Sequence, residues 1–216
     1  MKPMKLFNRL LTILATVSLF SGAAIAAVDE APDVLVKRIS QEVLDAAKSD
    51  KDIQGGNQKR VLELVEVKVL PYVNFQHMTS LAAGRFWREA TPEQQKSLTN
   101  EFRALLVYTY SGAISQIRDQ KLEFKPMTGD LADNDVVVRS QVTRAGGEPI
   151  QLNYRLEKLP VGWRIYDVNV LGAWLVETYK GNFAAEIGRG GIDGLIKTLS
   201  DKNKQLAAKS LRNAAK

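Results

Sequence analysis

Residues 135–171, DVVVRSQVTRAGGEPIQLNYRLEKLPVGWRIYDVNVL, decide the fold. Val136, Val138 and Val142 alternate with polar neighbours, and so do Ile150, Leu152, Tyr154 and Leu156. That is the period of two expected of strands with one buried face. The pattern predicts strands over 135–144, 150–158 and 163–171, preceded by a shorter one over 122–126. The turns between them, Gly129-Asp130, Gly146-Gly147 and Pro160-Val161-Gly162, are too short for crossovers, so the strands form an antiparallel meander. Register follows by parity. The apolar faces of the second and third strands coincide only if paired residue numbers add to an even value, as with Val142 opposite Ile150 and Val138 opposite Tyr154. A two-residue Gly146-Gly147 turn gives an odd value, so the loop has odd length. The last strand is apolar on both sides, Trp163 and Ile165 against Tyr166, Val168 and Val170, which predicts cover on both faces of the sheet there.

On the N-terminal side the period is helical. Val34, Leu35, Ile39, Val43, Leu44 and Ala47 predict a first helix ending near Asp50. Gly55-Gly56-Asn57 breaks it, and Asn57 caps a second helix that ends before Pro71. Asn74 caps a third through Phe75, Met78 and Leu81, with Gly84 as its stop. Thr91-Pro92-Glu93-Gln94 combines a cap threonine, proline at the first helical position and glutamine three after the cap. From it runs a long helix with the stripe Leu98, Phe102, Leu105, Leu106, Thr109, Ala113 and Ile117. Beyond the sheet, Leu175, Val176, Tyr179 and Phe183 return to helical spacing, followed by a break at Gly188 to Gly191 and a last helix from Ile192. The whole is α+β: a four-stranded antiparallel sheet embraced by N- and C-terminal helices.

Composition narrows the chemistry. The chain has 216 residues, no cysteine and one histidine, His77. Thiol nucleophiles, cysteine zinc sites and multi-histidine metal sites are therefore excluded. Lys2, Lys5 and Arg9 precede an apolar run over 10–20, and small residues lead to Ala26, the order of a cleaved secretory signal over 1–26. The run is short for a bilayer span. Cleavage halves the net charge of +6. Most of the remaining basicity lies at 197–216, where Lys197, Lys202, Lys204, Lys209, Arg212 and Lys216 face Asp201 alone. An exported protein has no ordinary nucleic-acid substrate, so that tail reads as a solvated helix end or a contact for anionic lipid or an acidic partner.

Three segments together carry a family resemblance: VLPYVNFQHMTSLAAGRFWREATPEQQKSLTNEF at 69–102, WRIYDVNVLGAWLVETYKGNF at 163–183 and GGIDGLIKTL at 190–199. They resemble the MlaC family, the toluene-tolerance family of periplasmic phospholipid-binding proteins of Gram-negative bacteria. The chain departs from the common family pattern at Leu171-Gly172-Ala173-Trp174, where many members carry Glu-Gly-Val-Ser. The resemblance implies a periplasmic phospholipid carrier in one domain over 27–216, with acyl chains in an apolar cavity between sheet and helices. It implies outer-membrane lipid asymmetry as the role, phospholipid as cargo and no cofactor. The partners it implies are an outer-membrane lipoprotein complex and an inner-membrane ABC-type transporter with a lipid-binding subunit, met in transient membrane contact.

The apolar residues that fit such a lining are Phe75, Met78, Phe86, Trp87, Leu98, Phe102, Val138, Leu152, Tyr154, Tyr166, Val168, Val170 and Trp174; taken one at a time, residues of these types are more often plain core. No catalytic and no metal-ligating residue is assigned. His77 has no partner of the catalytic kind and reads as a surface or capping histidine. Asp130, Asp133 and Asp135 lack the glycine and distal glutamate of a calcium loop and read as turn chemistry. Gly190-Gly191 before a helix reads as a helix start rather than a phosphate cradle. Scattered serines with one histidine make no hydrolase motif. A periplasmic binding module or chaperone for exported proteins is the alternative that shares this composition.

Overall fold

Capping side chains set the helix starts. A computed structural model describes residues 30–127, 133–144 and 146–214. The expected signal over 1–26, the Gly129-Asp130 turn and Asp130 lie outside them. Helix α1 (Pro32–Ser49) opens on a proline, whose fixed φ suits the first turn. Asp50 ends it and caps the short α2 (Lys51–Gln54) by accepting from the Asp52 and Ile53 N–H groups. Asn57 caps α3 (Gln58–Lys68), and Asn74 caps α4 (Phe75–Ala83), which stops at Gly84. Thr91 and Gln94 form the full reciprocal box at the start of α5 (Pro92–Tyr110). Several positions differ from the expected stripes: Val34 of α1 and Thr109 of α5 are exposed. Leu81 is exposed, and after Tyr110 the chain tightens into a 3-10 turn, Ser111–Gln116, which leaves Ala113 in solvent.

The sheet is an antiparallel meander in chain order: β1 (Lys121–Phe124), β2 (Asp135–Thr143), β3 (Ile150–Leu159), β4 (Gly162–Val170) and β5 (Ala173–Trp174). Val142 faces Ile150 and Val138 faces Tyr154, the register that parity requires. The fifth strand is an addition to the expected four. Val170 pairs with Ala173, so Leu171 (φ 53°) and Gly172 (φ 90°) form a two-residue turn with both residues left-handed.

A bulge in β4 corrects the reading of this strand as apolar on both sides. Leu156 faces Ile165 while Arg155 faces Asp167, so Tyr166 is the extra residue. Side chains of paired residues share a face. Before the bulge Trp163 and Ile165 share a face with Lys158 and Leu156; after it Val168 and Val170 share the same face with Tyr154 and Leu152. The four apolar residues therefore all point to one side, called the inner face here. Tyr166 goes to the other side, where its hydroxyl donates to Asp135 Oδ2 at 2.7 Å and its ring stacks on His77 with centroids 4.7 Å apart. The outer face is thus covered at Tyr166 by the His77 ring of α4 and by Asp135 of β2.

The chain ends in α6 (Leu175–Ala214), in which the expected break is a kink at Gly191 (φ 68°, ψ −173°). Leu195 and Leu199 bury against α4 and α5. Asn203, also buried, donates to the Glu101 carbonyl at 2.9 Å and to its carboxylate at 2.7 Å, and Leu206 packs on the same cluster. The first half of the basic stretch 197–216 thus belongs to the packed helix layer. Among the described residues no helix is long and apolar enough to cross a membrane.

Candidate functional site

Domains of this size normally bury one contiguous core. Here the buried residues fall into separate clusters. One joins the inner face of the sheet (Val136, Val138, Tyr154, Leu156, Trp163, Ile165) to Leu35, Val36 and Ile39 of α1. A second joins α4, α5 and α6 through Met78, Leu98, Phe102, Phe183 and Leu195. A third, smaller one lies under α1, α2 and α3. Val73 and Val168, both only half-buried, pack against the first two clusters alike. Leu152 lies at the edge of the sheet cluster, and Phe75, Val170 and Tyr179 at the edge of the helix cluster. The result is a seam between sheet and helices, lined by aliphatic and aromatic side chains with no charged group among them. Such a surface suits an apolar chain.

Local chemistry fixes the two walls. On the sheet side, Val73 pairs with Ile165 beside β4, and Asn74 donates its backbone N–H to the Ile165 carbonyl at 2.8 Å, which delivers α4 to the sheet edge. His77 stands at the same joint, its Nδ1 2.9 Å from Glu157 Oε1, the oxygen that accepts from the Asn74 amide at 2.7 Å. On the helix side, Asp167 is fully buried, and its Oδ1 accepts from the N–H groups of Val168 at 2.9 Å and of Val176 at 3.1 Å. It thereby caps the first turn of α6 from a distant strand. Arg155 donates to Asp167 Oδ2 at 3.3 Å while its guanidinium lies 4.0 Å over the Trp174 ring. Burial holds the Asp167 carboxyl above the usual aspartate range, against the pull of the two amides and of Arg155. Burial likewise pushes the Tyr154 phenol up, and the Tyr179 phenol up to about 12.

Eleven of the thirteen residues expected to face cargo fall in or beside the two large clusters, at different depths. Met78, Leu98 and Phe102 are buried inside the helix cluster, with Phe75, Phe86, Trp87 and Val170 around it. Val138 and Tyr154 are buried in the sheet cluster, Leu152 lies at its edge, and Val168 touches both. Trp87 also lines a surface depression of about 300 Å³ with Gln76, Gln95 and Thr99. A second depression, of about 550 Å³, lies among Gly56, Gln58, Thr109 and Gln116; neither includes a residue of the seam. Tyr166 and Trp174 do not join the others. The bulge turns Tyr166 outward, and Trp174, paired with Asn169, stands on the outer face with Arg155. Sequence reasoning missed Val73 and Tyr179 as seam residues. Val73 sits just before a helix cap, a position read as a connection, and Tyr179 was assigned to a helix stripe without a role.

Fold and site together define an α+β protein organised around an apolar seam, with its polar groups spent on holding the seam's walls in place. The sequence model of the MlaC protein family matches residues 37–201, and the chain belongs to that family. It is 24% identical over 206 residues, 94% of this chain and 95% of the relative, to the intermembrane phospholipid transport system binding protein MlaC of Haemophilus influenzae. It is 26% identical over 191 residues, 88% of this chain and 86% of the relative, to the toluene tolerance protein ttg2D of Pseudomonas putida. Among solved structures, the phospholipid-binding protein from Ralstonia solanacearum, determined in complex with a phospholipid, is 46% identical and superimposes with a TM-score of 0.77. That likeness covers 81% of this chain and 98% of the other.

Proposed function

We propose that this protein is a phospholipid carrier of the periplasm, which holds acyl chains in the seam between the inner face of the sheet and the helices. The observation that supports it best is the divided core: among the described residues the two buried clusters share only Val73 and Val168, both half-buried, with Leu152, Val170 and Tyr179 half-buried at their edges. Family membership and the phospholipid-bound relative at 46% identity support the choice of cargo. The physics requires enclosure. Two acyl chains with about thirty methylenes carry roughly 24 kcal/mol of transfer energy at ~0.8 kcal/mol each, so a chain crossing water must be wrapped. Escape into water is then far too slow to serve transport, and unloading takes place in contact with an acceptor.

The carrier works without a cofactor and without a catalytic step; His77 and Asp167 serve as fasteners of the walls. In this reading residues 27–216 act as one domain after removal of a signal over 1–26. They exchange lipid with an outer-membrane lipoprotein complex and an inner-membrane transporter bearing a lipid-binding subunit, and so maintain outer-membrane asymmetry. Organic extraction and mass spectrometry of gently purified protein test the cargo. Stoichiometric phospholipid is expected, and lipid-free protein from lipid-replete cells contradicts it.

A further inference from the structure

Helix α6 is folded back on itself. Thr198 Oγ1 donates to Glu186 Oε2 at 3.3 Å across twelve positions, whereas a straight helix would hold such residues about 18 Å apart. The chain therefore reverses at Gly191, whose φ of 68° and ψ of −173° lie outside the helical region. The two arms, 175–190 and 192–214, are fastened to different parts of the molecule. The first is bonded to the sheet at its start, where Val176 donates to Asp167. The second lies along α5: Gln94 donates to Asp193 at 2.8 Å and Asn203 donates to Glu101, so this arm runs in the same direction as α5. The first arm runs the other way and meets α5 through edge-on ring contacts, the Tyr179 and Phe183 centroids each 4.9 Å from that of Phe102.

More glycine stands at this turn than the reversal needs. Gly191 alone has positive φ there, and glycine suits it. Gly188, Gly190 and Gly194 are helical, and a Cβ on any of them meets nothing within 4 Å. Close packing therefore does not call for glycine at these three positions, and each weakens its helical turn relative to alanine. A local weakness that the packing does not use points to a segment kept flexible for function. The seam supplies the need. Val73 and Val168 pack against both buried clusters, so the walls touch there. In a close-packed interior, acyl chains gain room only when the walls part.

We propose that residues 188–194 are a hinge: when acyl chains part the walls of the seam, the angle between the arms of α6 widens, the first arm moving with the sheet and the second staying on α5. The proposal rests on the carrier reading above. Each arm has its own anchor, Asp167 for the first and Glu101 for the second, so a change in the distance between sheet and α5 is taken up at the turn that joins them. The Thr198–Glu186 bond across the hairpin is long and exposed, and its loss on widening costs little.

The test is the rate at which delipidated protein takes up a pyrene-labelled phosphatidylglycerol from dodecyl maltoside micelles, with melting temperature recorded alongside. One variant combines Gly188→Ala, Gly190→Ala and Gly194→Ala. The control is Gly181→Ala, also helical and with open space at its Cβ, but away from the turn. Both proteins should melt above wild type. Uptake should slow about tenfold or more in the triple variant and keep the wild-type rate in Gly181→Ala. Wild-type uptake by the triple variant overturns the proposal. So does equal slowing in Gly181→Ala, which makes the effect one of general stiffness. A second measurement does not depend on how the glycine variants fold. The chain has no cysteine, so Glu186→Cys and Thr198→Cys can be bridged by a short bis-alkylating reagent that holds the arms together. Uptake should be normal before bridging and arrested after it; uptake that the bridge leaves unchanged overturns the hinge. Wild-type protein that holds phospholipid yet takes up none also overturns it, because a seam that opens at a glycine turn loads without a partner, and the carrier reading then stands. Wild-type protein that neither holds nor takes up phospholipid removes the carrier reading and the hinge with it.

Discussion

The Asp167 carboxylate accepts the N–H of Val176 at 3.1 Å, joining the last long strand of the sheet to the first turn of α6. Nine residues separate the two in sequence, and the β4–β5 turn lies between them. This bond ties the start of α6 to β4, the strand whose other face lines the seam.

Replacing Asp167 with alanine leaves two buried N–H groups and the Arg155 guanidinium without their acceptor. A loss of about 2 kcal/mol is expected from the cap and the unmade bonds together, read from urea unfolding at neutral pH. Asp167→Asn keeps an acceptor oxygen and should lose clearly less. Equal losses in the two variants mean that the charge, and not the cap, is what the fold needs.

How much of this was legible in the sequence depended on whether a rule of parity or of capping applied. Val142 opposite Ile150 followed from the requirement that two apolar faces coincide, and the caps Asn57, Asn74 and Thr91 followed from their side-chain oxygens. The β4 bulge was not legible. Ile165, Tyr166, Asp167 and Val168 are consecutive and the first three are buried, Tyr166 and Asp167 because they find polar partners on the outer face. Alternation alone assigns such a run to two apolar faces. The place of Trp174 was not legible either: its stacking under Arg155 depends on a two-residue strand that leaves no periodic signal. The seam itself was out of reach, since apolar periodicity marks what is buried and not where two buried groups fail to merge.

His77→Ala removes the stacking on Tyr166 and the contact with Glu157, both on the outer face. The expected outcome is a melting temperature a few degrees lower, from about 1 kcal/mol of lost interaction in a domain of this size, with co-purified lipid unchanged. Lipid loss from a folded His77→Ala protein gives this residue a part in cargo binding that its position does not predict.

Truncation at the C-terminus should show a sharp boundary. Deleting from Lys202 removes Asn203, with its two bonds to Glu101, and Leu206 from the helix cluster. Deleting from Lys209 removes neither. The longer deletion is expected to destabilise the protein and loosen its lipid, and the shorter one to behave as wild type in calorimetry. If both melt alike, the docked end of α6 contributes no stability.

The acid limb of the stability curve should depend on Arg38. Its hydrogen bond to Glu30 holds that carboxyl below the usual glutamate range, and Lys68, then Arg38, do the same for Glu42. Carboxylates with depressed folded-state pKa values contribute stability above the unfolded value near 4.5 that is lost as pH falls through the folded value. The melting temperature of Arg38→Met should therefore lie below wild type at pH 7 and converge on it toward pH 3, with a smaller gap at high salt. A gap that stays constant with pH indicates that Arg38 acts through its packing over the Tyr72 ring, 5.0 Å away, instead of through charge.

The central claim, that the seam holds acyl chains, is tested most directly by a pair of carboxylates placed on the inner face. Leu152 is half-buried at the seam, and Leu156, two pairs along the same face, is fully buried in dry core. The measurement is co-purified phospholipid per protein, by mass spectrometry, on samples whose melting curves are recorded alongside. Leu156→Glu buries an unpartnered carboxylate, a cost of several kcal/mol that should unfold the domain. Leu152→Glu should remain folded, with water reaching the seam, and carry little or no phospholipid. A folded Leu152→Glu protein with the wild-type lipid content contradicts the account and moves the cargo to another part of the molecule.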